Sequence, residues 1–334
     1  MIVRDLQQGT AEWLAWRGVP EHISASLGPT ILGECEYETD FDLWVRRQCI
    51  GKSPQEVKDL LKLHGVKPEQ DFDRNPWILR GKRLEDTARQ AYEEESGITG
   101  GLSLCIESST IDWLKASLDW YVTGHVTELK CPHPTTFKDV KARGTRSSAF
   151  LRYRSQVQVQ MIAATDENGV VPKGELVFYC GDTGELIRFE IRMSPTRAKK
   201  IIAKLKKFHK MVLTNKPPEK DPDRDAYVPT GNEADIWRPH CESVTGIDDE
   251  LAMLNARVKE LKEQREADCK VLSDSVKAAG FKRGKFLGVN ITCFTVKGSI
   301  DNSEIVKSLD MMDEELDLFR KQESEQVRVT TTNS

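Results

Sequence analysis

Two short segments carry residue types that could bind a metal ion and cleave a phosphodiester. Asp119 ends the segment Ser117-Leu118-Asp119, and Glu128-Leu129-Lys130 begins nine residues after Asp119. Residues i and i+2 of a strand share a face, so Glu128 and Lys130 should point the same way while Leu129 faces the core. If Asp119 lies on a neighbouring strand, two carboxylates converge into an oxygen site that suits Mg²⁺.

A lysine beside such a site could orient a water and stabilise the charge that grows on a phosphate oxygen. This combination is typical of metal-assisted phosphodiester hydrolysis. The same spacing also arises by chance in charged proteins, and the alternative is a strand with a surface ion pair.

The elements that must position these residues alternate between strands and helices, which predicts an α/β layer fold. Thr10 is a candidate N-cap for a first short helix. Further helices are predicted over Asp40–Cys49, Trp77–Ser96, Phe150–Ala164 and Pro195–Val212. Strands are predicted over Leu114–Asp119, His125–Cys131, Leu176–Cys180 and Leu186–Ile191, the last two around a Gly-Asp-Thr-Gly turn.

Composition excludes several classes of protein. Of the 334 residues, 38% are hydrophobic and 31% charged, and no stretch approaches the 18 apolar residues of a membrane span. The first residues lack the apolar region of a secretory signal. Eight cysteines lie at least 14 residues apart, which argues against zinc, iron–sulfur and disulfide frameworks and for a reducing cytoplasm.

Charge is distributed unevenly along the chain. The net charge is −4 overall, yet residues 128–212 carry 17 Lys and Arg against 8 Asp and Glu. A basic middle third favours a surface that binds a polyanion. The alternative is that these charges are scattered over solvated helix faces.

Three regions are predicted: an α/β domain over 1–213, a linker over 214–240 with five prolines, and an extension over 241–334. The extension should contain a long helix, Asp248–Ala279, a strand or hairpin over Phe286–Val296 and an acidic end. Arg265, Asp268 and Ser275 interrupt the apolar heptad columns of the helix. They argue against a stable two-stranded coiled coil and for packing on the body or on a neighbouring subunit.

Several segments resemble, in the same order, the lambda-type phage exonucleases, also called YqaJ-like recombinases. They lie at 8–17, 23–26, 81–93, 127–132 and 153–158, within about residues 7–212. The resemblance implies a restriction-endonuclease-like core of the PD-(D/E)xK type, with a central mixed sheet flanked by helices. The C-terminal helical extension with its small β element lies outside it.

The resemblance also implies an activity. Members are Mg²⁺-dependent exonucleases that digest linear duplex DNA from the 5′ end and leave a 3′ single strand. Two metal ions per site are expected, with Mn²⁺ as a possible substitute. The family further implies a ring-shaped trimer, a single-strand annealing protein as partner, and a phage or prophage origin in a bacterial cytoplasm.

Carried over by position, Asp119 and Glu128 would hold the metals and Lys130 would position the attacking water. Glu85 matches an additional acidic residue near the second metal, unless it is an exposed carboxylate paired with Arg89. Gln156 matches a glutamine beside the active site, and a buried structural amide is the alternative.

Three further residues, Arg17, Ser26 and Ser117, match positions that hold the 5′-phosphate in the family. A guanidinium and two hydroxyls suit a terminal phosphate dianion. The structural alternatives are that Arg17 is a cation near the carbonyls of its own helix end and that the Ser117 hydroxyl bonds the backbone at a strand end. Trp13 and Trp16 are expected in the core.

A basic loop over Lys138–Arg154 follows the catalytic strand and is expected to clamp the DNA backbone. Its candidate contacts are Lys138, Lys141, Arg143, Arg146, Arg152 and Arg154. One departure from the family stands at the first metal ligand, where Ser117-Leu118-Asp119-Trp120 replaces the usual Ser-Pro-Asp-Gly.

Two rival functions remain open from the sequence. A site-specific or structure-specific endonuclease of the same fold would cut closed circles, which an end-dependent enzyme leaves intact. A non-catalytic DNA-binding recombination scaffold would bind DNA equally well without Mg²⁺ and never shorten it.

Overall fold

The computed structural model describes residues 1–68 and 75–293. Its helices are α1 (Ala11–Gly18), α2 (Gly28–Leu32), α3 (Asp40–Gln48), α4 (Pro54–His64), α5 (Pro76–Ser96), α6 (Pro134–Arg143), α7 (Ser148–Ala163), α8 (Pro195–Leu213) and α9 (Asn232–Ala278). Its strands are β1 (Ile2–Arg4), β2 (Ile23–Ser24), β3 (Leu102–Glu107), β4 (Leu114–Val122), β5 (His125–Lys130), β6 (Lys173–Tyr179), β7 (Leu186–Ile191), β8 (Arg283–Phe286) and β9 (Val289–Thr292).

Seven strands form one mixed sheet in the order β1-β3-β4-β5-β6-β7, with the short β2 paired to β4. The β5–β6 and β2–β4 pairs are parallel, and the other neighbours are antiparallel. Helices flank this sheet, so the predicted mixed α/β architecture is confirmed.

Local sequence signals explain where the helices begin. The side chains of Thr10, Thr39, Ser147 and Ser194 each accept a hydrogen bond from a backbone N–H in the first turn that follows. Ser53 and Glu56 form a complete capping box. The predicted helices of the α/β domain and the β6–β7 hairpin are therefore found within three residues of their expected ends.

Helix α7 is the central support of the sheet. Ten of its residues are buried, and they divide between two apolar clusters. Val159 and Ile162 pack in a cluster with α2, α3, α8 and β4, while Val157 and Met161 pack in one with α6, β6 and β7. One helix therefore holds both halves of the sheet in position.

Strand β4 contains a bulge at the Asp119 position. In the β3–β4 register Leu104 faces Leu118, but Leu102 faces Tyr121, so two steps on β3 match three on β4. A bulge re-aims the side chains around it. Leu118 consequently joins the α2–α8 cluster, whereas Trp120 packs with Tyr92 of α5.

The bulge region accommodates Trp120 where the family has glycine. The indole is fully buried, donates to Glu93 at 3.0 Å and meets the Tyr92 ring edge-on at 5.2 Å between centroids. Gly101 leaves room for it, since a Cβ there would lie 1.9 Å from the indole. The fold therefore accommodates Trp120 in place of the family's usual glycine.

The expectation of a basic loop over 138–154 is wrong. Residues Pro134–Arg143 are α6, Gly144–Arg146 form one 3₁₀ turn, and α7 begins at Ser148. The Gly144-Thr-Arg-Ser-Ser break ends one helix and caps the next: Gly144 has a φ of +55°, and Ser147 caps α7. The break therefore marks a tight turn.

The chain divides into two compact units after Val228. In the second unit the long helix α9 begins at Asn232, sixteen residues before the predicted start, so the last part of the proposed linker 214–240 is helical. Strands β8 and β9 form a hairpin. Residues 294–296 of the predicted β segment and the acidic end lie outside the described residues.

None of the described helices combines the length and the apolar character needed to cross a membrane.

Candidate active site

The central group of the site is the ammonium of Lys130, at the end of β5. Its Nζ contacts Glu128 Oε1 and lies 3.7 Å from Asp119 Oδ2. The β4–β5 register pairs Trp120 with Thr127, which brings the preceding Asp119 next to the following Glu128. Both carboxylates therefore face one cation, and Leu129, between Glu128 and Lys130, is buried as predicted.

Asp119 is fixed from a second side. Its Oδ2 accepts the backbone N–H of Leu129 at 3.1 Å. This bond crosses from β4 to β5 and orients the carboxylate towards the end of β5. The bulge in β4 thus places the side chain, and the neighbouring strand holds it.

Glu128 is 1% exposed, and two amides of α7 hold its two oxygens. Gln156 Nε2 donates to Oε1, and Gln160 Nε2 donates to Oε2 at 2.6 Å. Gln160 also donates to the Ser117 carbonyl at 3.0 Å. Gln156 was predicted beside the site. Gln160 was not among the predicted site residues, although its i+4 spacing from Gln156 puts it on the same helical face.

Burial and charge shift both ionisable groups of β5. Burial and the charge of Asp119 raise the pKa of Glu128 to about 7, although Lys130 opposes the shift. Burial alone would lower the pKa of Lys130, but Glu128 and Asp119 raise it above its ordinary value. Lys130 is therefore a permanent cation, and Glu128 is a carboxylate whose charge needs a positive neighbour.

Glu85 lies on the exposed side of α5. Partial burial and the charge of Asp119 raise the pKa of this carboxyl, which indicates that Glu85 faces the same site. Arg89 does not pair with it, since the guanidinium lies 3.7 Å from Asp86 instead. The alternative of a Glu85–Arg89 surface pair is therefore not what the structure contains.

The three residues matched to the 5′-phosphate site fall into two contacts. Arg17 Nη2 donates to Ser26 Oγ at 2.6 Å. Ser117 Oγ accepts the Trp13 indole N–H at 2.8 Å, and the Arg17 guanidinium lies 4.9 Å from the Trp13 ring centroid. Trp13 thus connects the two contacts.

Arg17 has an unusual environment for a cation. Burial lowers its pKa, and Glu128 is the one charge that counteracts this. Within residues 1–68 and 75–293, no carboxylate lies at ion-pair distance from it. A part-buried guanidinium whose positive charge is incompletely balanced suits an anionic ligand.

Trp13 and Trp16 do not belong to the core, contrary to expectation. Both are half-buried, and each uses its indole N–H to anchor α1 to the sheet. Trp16 donates to Glu107 at 2.9 Å, and Lys115 lies 5.0 Å from its ring centroid. Helix α1 has no buried residue, so hydrogen bonds and cation–π contacts hold it in place of apolar packing.

Most of the predicted DNA contacts between 138 and 154 are engaged with carboxylates. Lys141 pairs with Glu185 at 2.8 Å, Arg143 with Asp139 at 3.5 Å, Arg152 with Glu36 at 3.7 Å and Arg154 with Glu34 at 3.2 Å. Lys138 and Arg146 are exposed and form no ion pair with any described residue. These two cations remain the best candidates for phosphate contacts in this region.

The donor set fits a hard divalent cation. Mg²⁺ commonly binds through one or two carboxylates and keeps several waters, and Asp119 with Glu128 supply such a pair. No group of three His, Cys, Asp or Glu side chains forms a metal cage in the described part of the chain. The raised pKa of Glu128 indicates a carboxylate that an ion would stabilise further.

Comparisons with known proteins agree with the resemblance seen in the sequence. Residues 12–167 match the model of the YqaJ-like viral recombinase domain, which confirms that resemblance. A comparison with curated proteins gives no match.

Solved structures that are similar to this chain include two exonucleases. The alkaline exonuclease LHK-Exo from Laribacter hongkongensis is 21% identical over 62% of this chain and 94% of its own, with a TM-score of 0.46. A phage related exonuclease from Haemophilus somnus 129PT is 14% identical over 58% and 96% of the two chains, with a TM-score of 0.34.

Proposed function

We propose that this chain, whose residues 12–167 match the YqaJ-like viral recombinase domain, is a Mg²⁺-dependent exonuclease acting on linear duplex DNA. It digests from the 5′ end and leaves a 3′ single strand for recombination by strand annealing. The observation that carries the proposal is the meeting of Asp119 and Glu128 at the ammonium of Lys130.

Asp119 and Glu128 would hold the divalent ion, with Glu85 as the additional acidic group. A bound Mg²⁺ would supply Lewis-acid polarisation of the scissile phosphate and would activate a water. Gln156 and Gln160 keep both oxygens of Glu128 fixed for that task. Mn²⁺, another hard cation, could occupy the same oxygen ligands.

Lys130 positions the nucleophile and balances charge. Its raised pKa keeps the ammonium protonated at neutral pH, so Nζ can donate to a water or to a phosphate oxygen but cannot act as a base. Charge accumulates on the phosphate oxygens as the P–O bond breaks, and a fixed donor beside them lowers the barrier.

Arg17, Ser26 and Ser117 would bind the terminal 5′-phosphate. The guanidinium already donates to Ser26, and it has no carboxylate partner among the described residues. A terminal phosphate dianion would provide the missing charge. Binding at this point would set the register of the scissile bond and favour ends that carry a phosphate.

The family resemblance supports three further expectations. The chain should assemble into a ring-shaped trimer around DNA, work with a single-strand annealing protein and operate in the cytoplasm of a bacterial host.

The decisive experiment compares a linear duplex with a covalently closed circle of the same sequence, each with Mg²⁺ and with a chelator. We expect the linear DNA to shorten only with Mg²⁺, with a 5′ end label released before a 3′ end label, and the circle to stay intact. Cutting of the circle would establish an endonuclease instead. Binding without shortening in every arm would establish a scaffold.

A further inference from the structure

The early start of α9 extends an apolar stripe that the sequence showed only in part. Val244, Ile247, Leu251, Leu254, Val258 and Leu261 follow one another at alternating steps of three and four residues along the helix. These are the core positions of a heptad pattern without interruption over 18 residues. Pro239 precedes the stripe within the helix, and Arg265, Asp268 and Ser275, which argue against a coiled coil along the whole helix, all follow it.

Among the residues that the structure describes, none covers this stripe. No residue of α9 is buried. Five of the six stripe residues are exposed, from 46% for Val258 to 54% for Leu254, and Val244 is half-buried. A long helix with an apolar stripe gains most of its stability in water by packing that stripe against another element.

The charges beside the stripe identify the partner. Asp248 and Glu250 flank its N-terminal half, and Arg257 and Lys262 occupy the corresponding flanking positions of its C-terminal half. Two parallel copies would place Arg257 next to Lys262 of the second copy. Two antiparallel copies place the acidic half of each helix against the basic half of the other.

The flanking charges are also available for such pairing. Arg257 contacts Glu260 at 2.8 Å on its own helix. Asp248, Glu250 and Lys262 form no ion pair with any residue of the described ranges. We propose that α9 binds α9 of a second copy of this chain as an antiparallel two-stranded coiled coil centred on Leu251 and Leu254. Because the three helices of one trimer cannot all pair two by two, the second copy belongs to another ring.

Two native cysteines make this arrangement measurable. Cys241 and Cys269 are exposed and occupy equivalent heptad positions, three residues before the stripe and eight residues after it. They are 28 residues apart, so about 42 Å separates them within one helix. In the antiparallel pair, Cys241 of one copy lies opposite residue 264 of the other, about 7.5 Å along the helix from Cys269, within reach of a bis-maleimide cross-linker.

The experiment treats the full-length protein with that cross-linker, identifies the linked peptides by mass spectrometry and measures the mass by analytical ultracentrifugation. We expect chains linked from Cys241 to Cys269, and loss of this link in Leu254→Asp, with a lower mass at equal concentration. Ala256→Asp, which adds the same charge on the opposite face of α9, should keep both the link and the mass.

Helical content measured by circular dichroism distinguishes an unpaired helix from a misfolded chain. Links from Cys241 to Cys241 would overturn the antiparallel arrangement. Equal linking and equal mass in Leu254→Asp and the unmodified protein would overturn the pairing itself. Exonuclease assays on the same samples report separately on the proposed activity, because the residues to which that activity is assigned do not include any of α9.

Discussion

Glu128 is a carboxylate that the fold has removed from water while leaving its charge incompletely balanced. Burial raises its pKa to about 7, and one ammonium serves both Glu128 and Asp119. Two carboxylates that share one ammonium keep an excess negative charge, which suits a site that binds a positive ion. The residue types and their common face were predictable from the spacing of Glu128 and Lys130.

We predict that Asp119→Ala and Lys130→Ala each slow digestion of linear DNA by about 10³-fold, since a metal-assisted step loses several kcal/mol of stabilisation. DNA binding, measured by mobility shift, should persist in both. Asp112→Ala serves as the control, because Asp112 is an exposed carboxylate on the loop before β4. Full activity of Lys130→Ala would remove lysine from the mechanism.

Gln160→Leu should weaken the site without removing a ligand. The variant keeps the size of the side chain but leaves Glu128 Oε2 without its donor, so activity or metal affinity should fall roughly 10- to 100-fold. The measurement is the Mg²⁺ concentration that gives half-maximal digestion. Gln158→Leu is the matched control, since Gln158 is buried on the same helix but bonds Arg192 and Arg197 instead. An equal change in the half-maximal Mg²⁺ concentration of both variants would show that Gln160 has only a structural role.

Among the elements, β4 shows what a sequence pattern cannot provide. Alternation places Leu118 and Trp120 on the same face of a regular strand, yet the bulge sends them to different clusters. The extra residue is defined only by pairing with β3, which is a contact between distant parts of the chain. The strand itself was predictable, whereas its irregularity, which aims Asp119, was not.

Helices followed their local signals more closely, because caps and apolar spacing lie within one segment. The incorrect prediction of a loop over 138–154 has the same physical origin as the unpredicted bulge, namely contacts between distant parts of the chain. Gly144 and the serines after it are typical of a loop, but Ser147 uses its hydroxyl to begin α7. The same residue types occur in a loop and at the capped start of a helix. Whether such a segment forms a loop or begins a helix depends on the packing of α7 on the sheet.

Helix α1 supplies the group expected to recognise the DNA end. Arg17→Ala should reduce the preference for 5′-phosphate over 5′-hydroxyl ends by roughly 10- to 100-fold, the value of a hydrogen bond to a charged group. Digestion rates of the two substrates give the ratio, and the 5′-hydroxyl duplex is the internal control because its rate should change little. An unchanged ratio would place end recognition elsewhere.

At the scale of the whole molecule, Glu175 of β6 connects four elements. It accepts from Tyr92 of α5 at 2.5 Å and from Arg188 of β7 at 2.8 Å, and lies 3.5 Å from His125 of β5. Burial would raise its pKa, but the nearby His125 ring and the hydrogen bonds from Arg188 and Tyr92 lower it to about 2. The carboxylate therefore holds α5 to the centre of the sheet.

This shift predicts a dependence of stability on pH. Because the folded-state pKa lies below the ordinary value of 4.5, the carboxylate stabilises the fold above about pH 4.5, and this contribution is lost as the pH falls towards about 2. Glu175→Gln should lower the free energy of unfolding at pH 7 by about 2–3 kcal/mol. Urea denaturation at pH 7 and pH 3 should show a smaller gap between variant and unmodified protein at pH 3, and a constant gap would contradict the assignment.

The position of α7 has a practical consequence for anyone who handles the protein. The helix that supplies Gln156 and Gln160 also buries ten residues against the sheet, so the amides cannot shift unless the interior loosens. As the protein is heated, the residual rate of DNA digestion should stay constant at first. It should then be lost within the same narrow temperature interval in which tryptophan fluorescence reports unfolding. Loss of activity many degrees below the unfolding temperature would show that Gln156 and Gln160 are not held in place by the packing of α7.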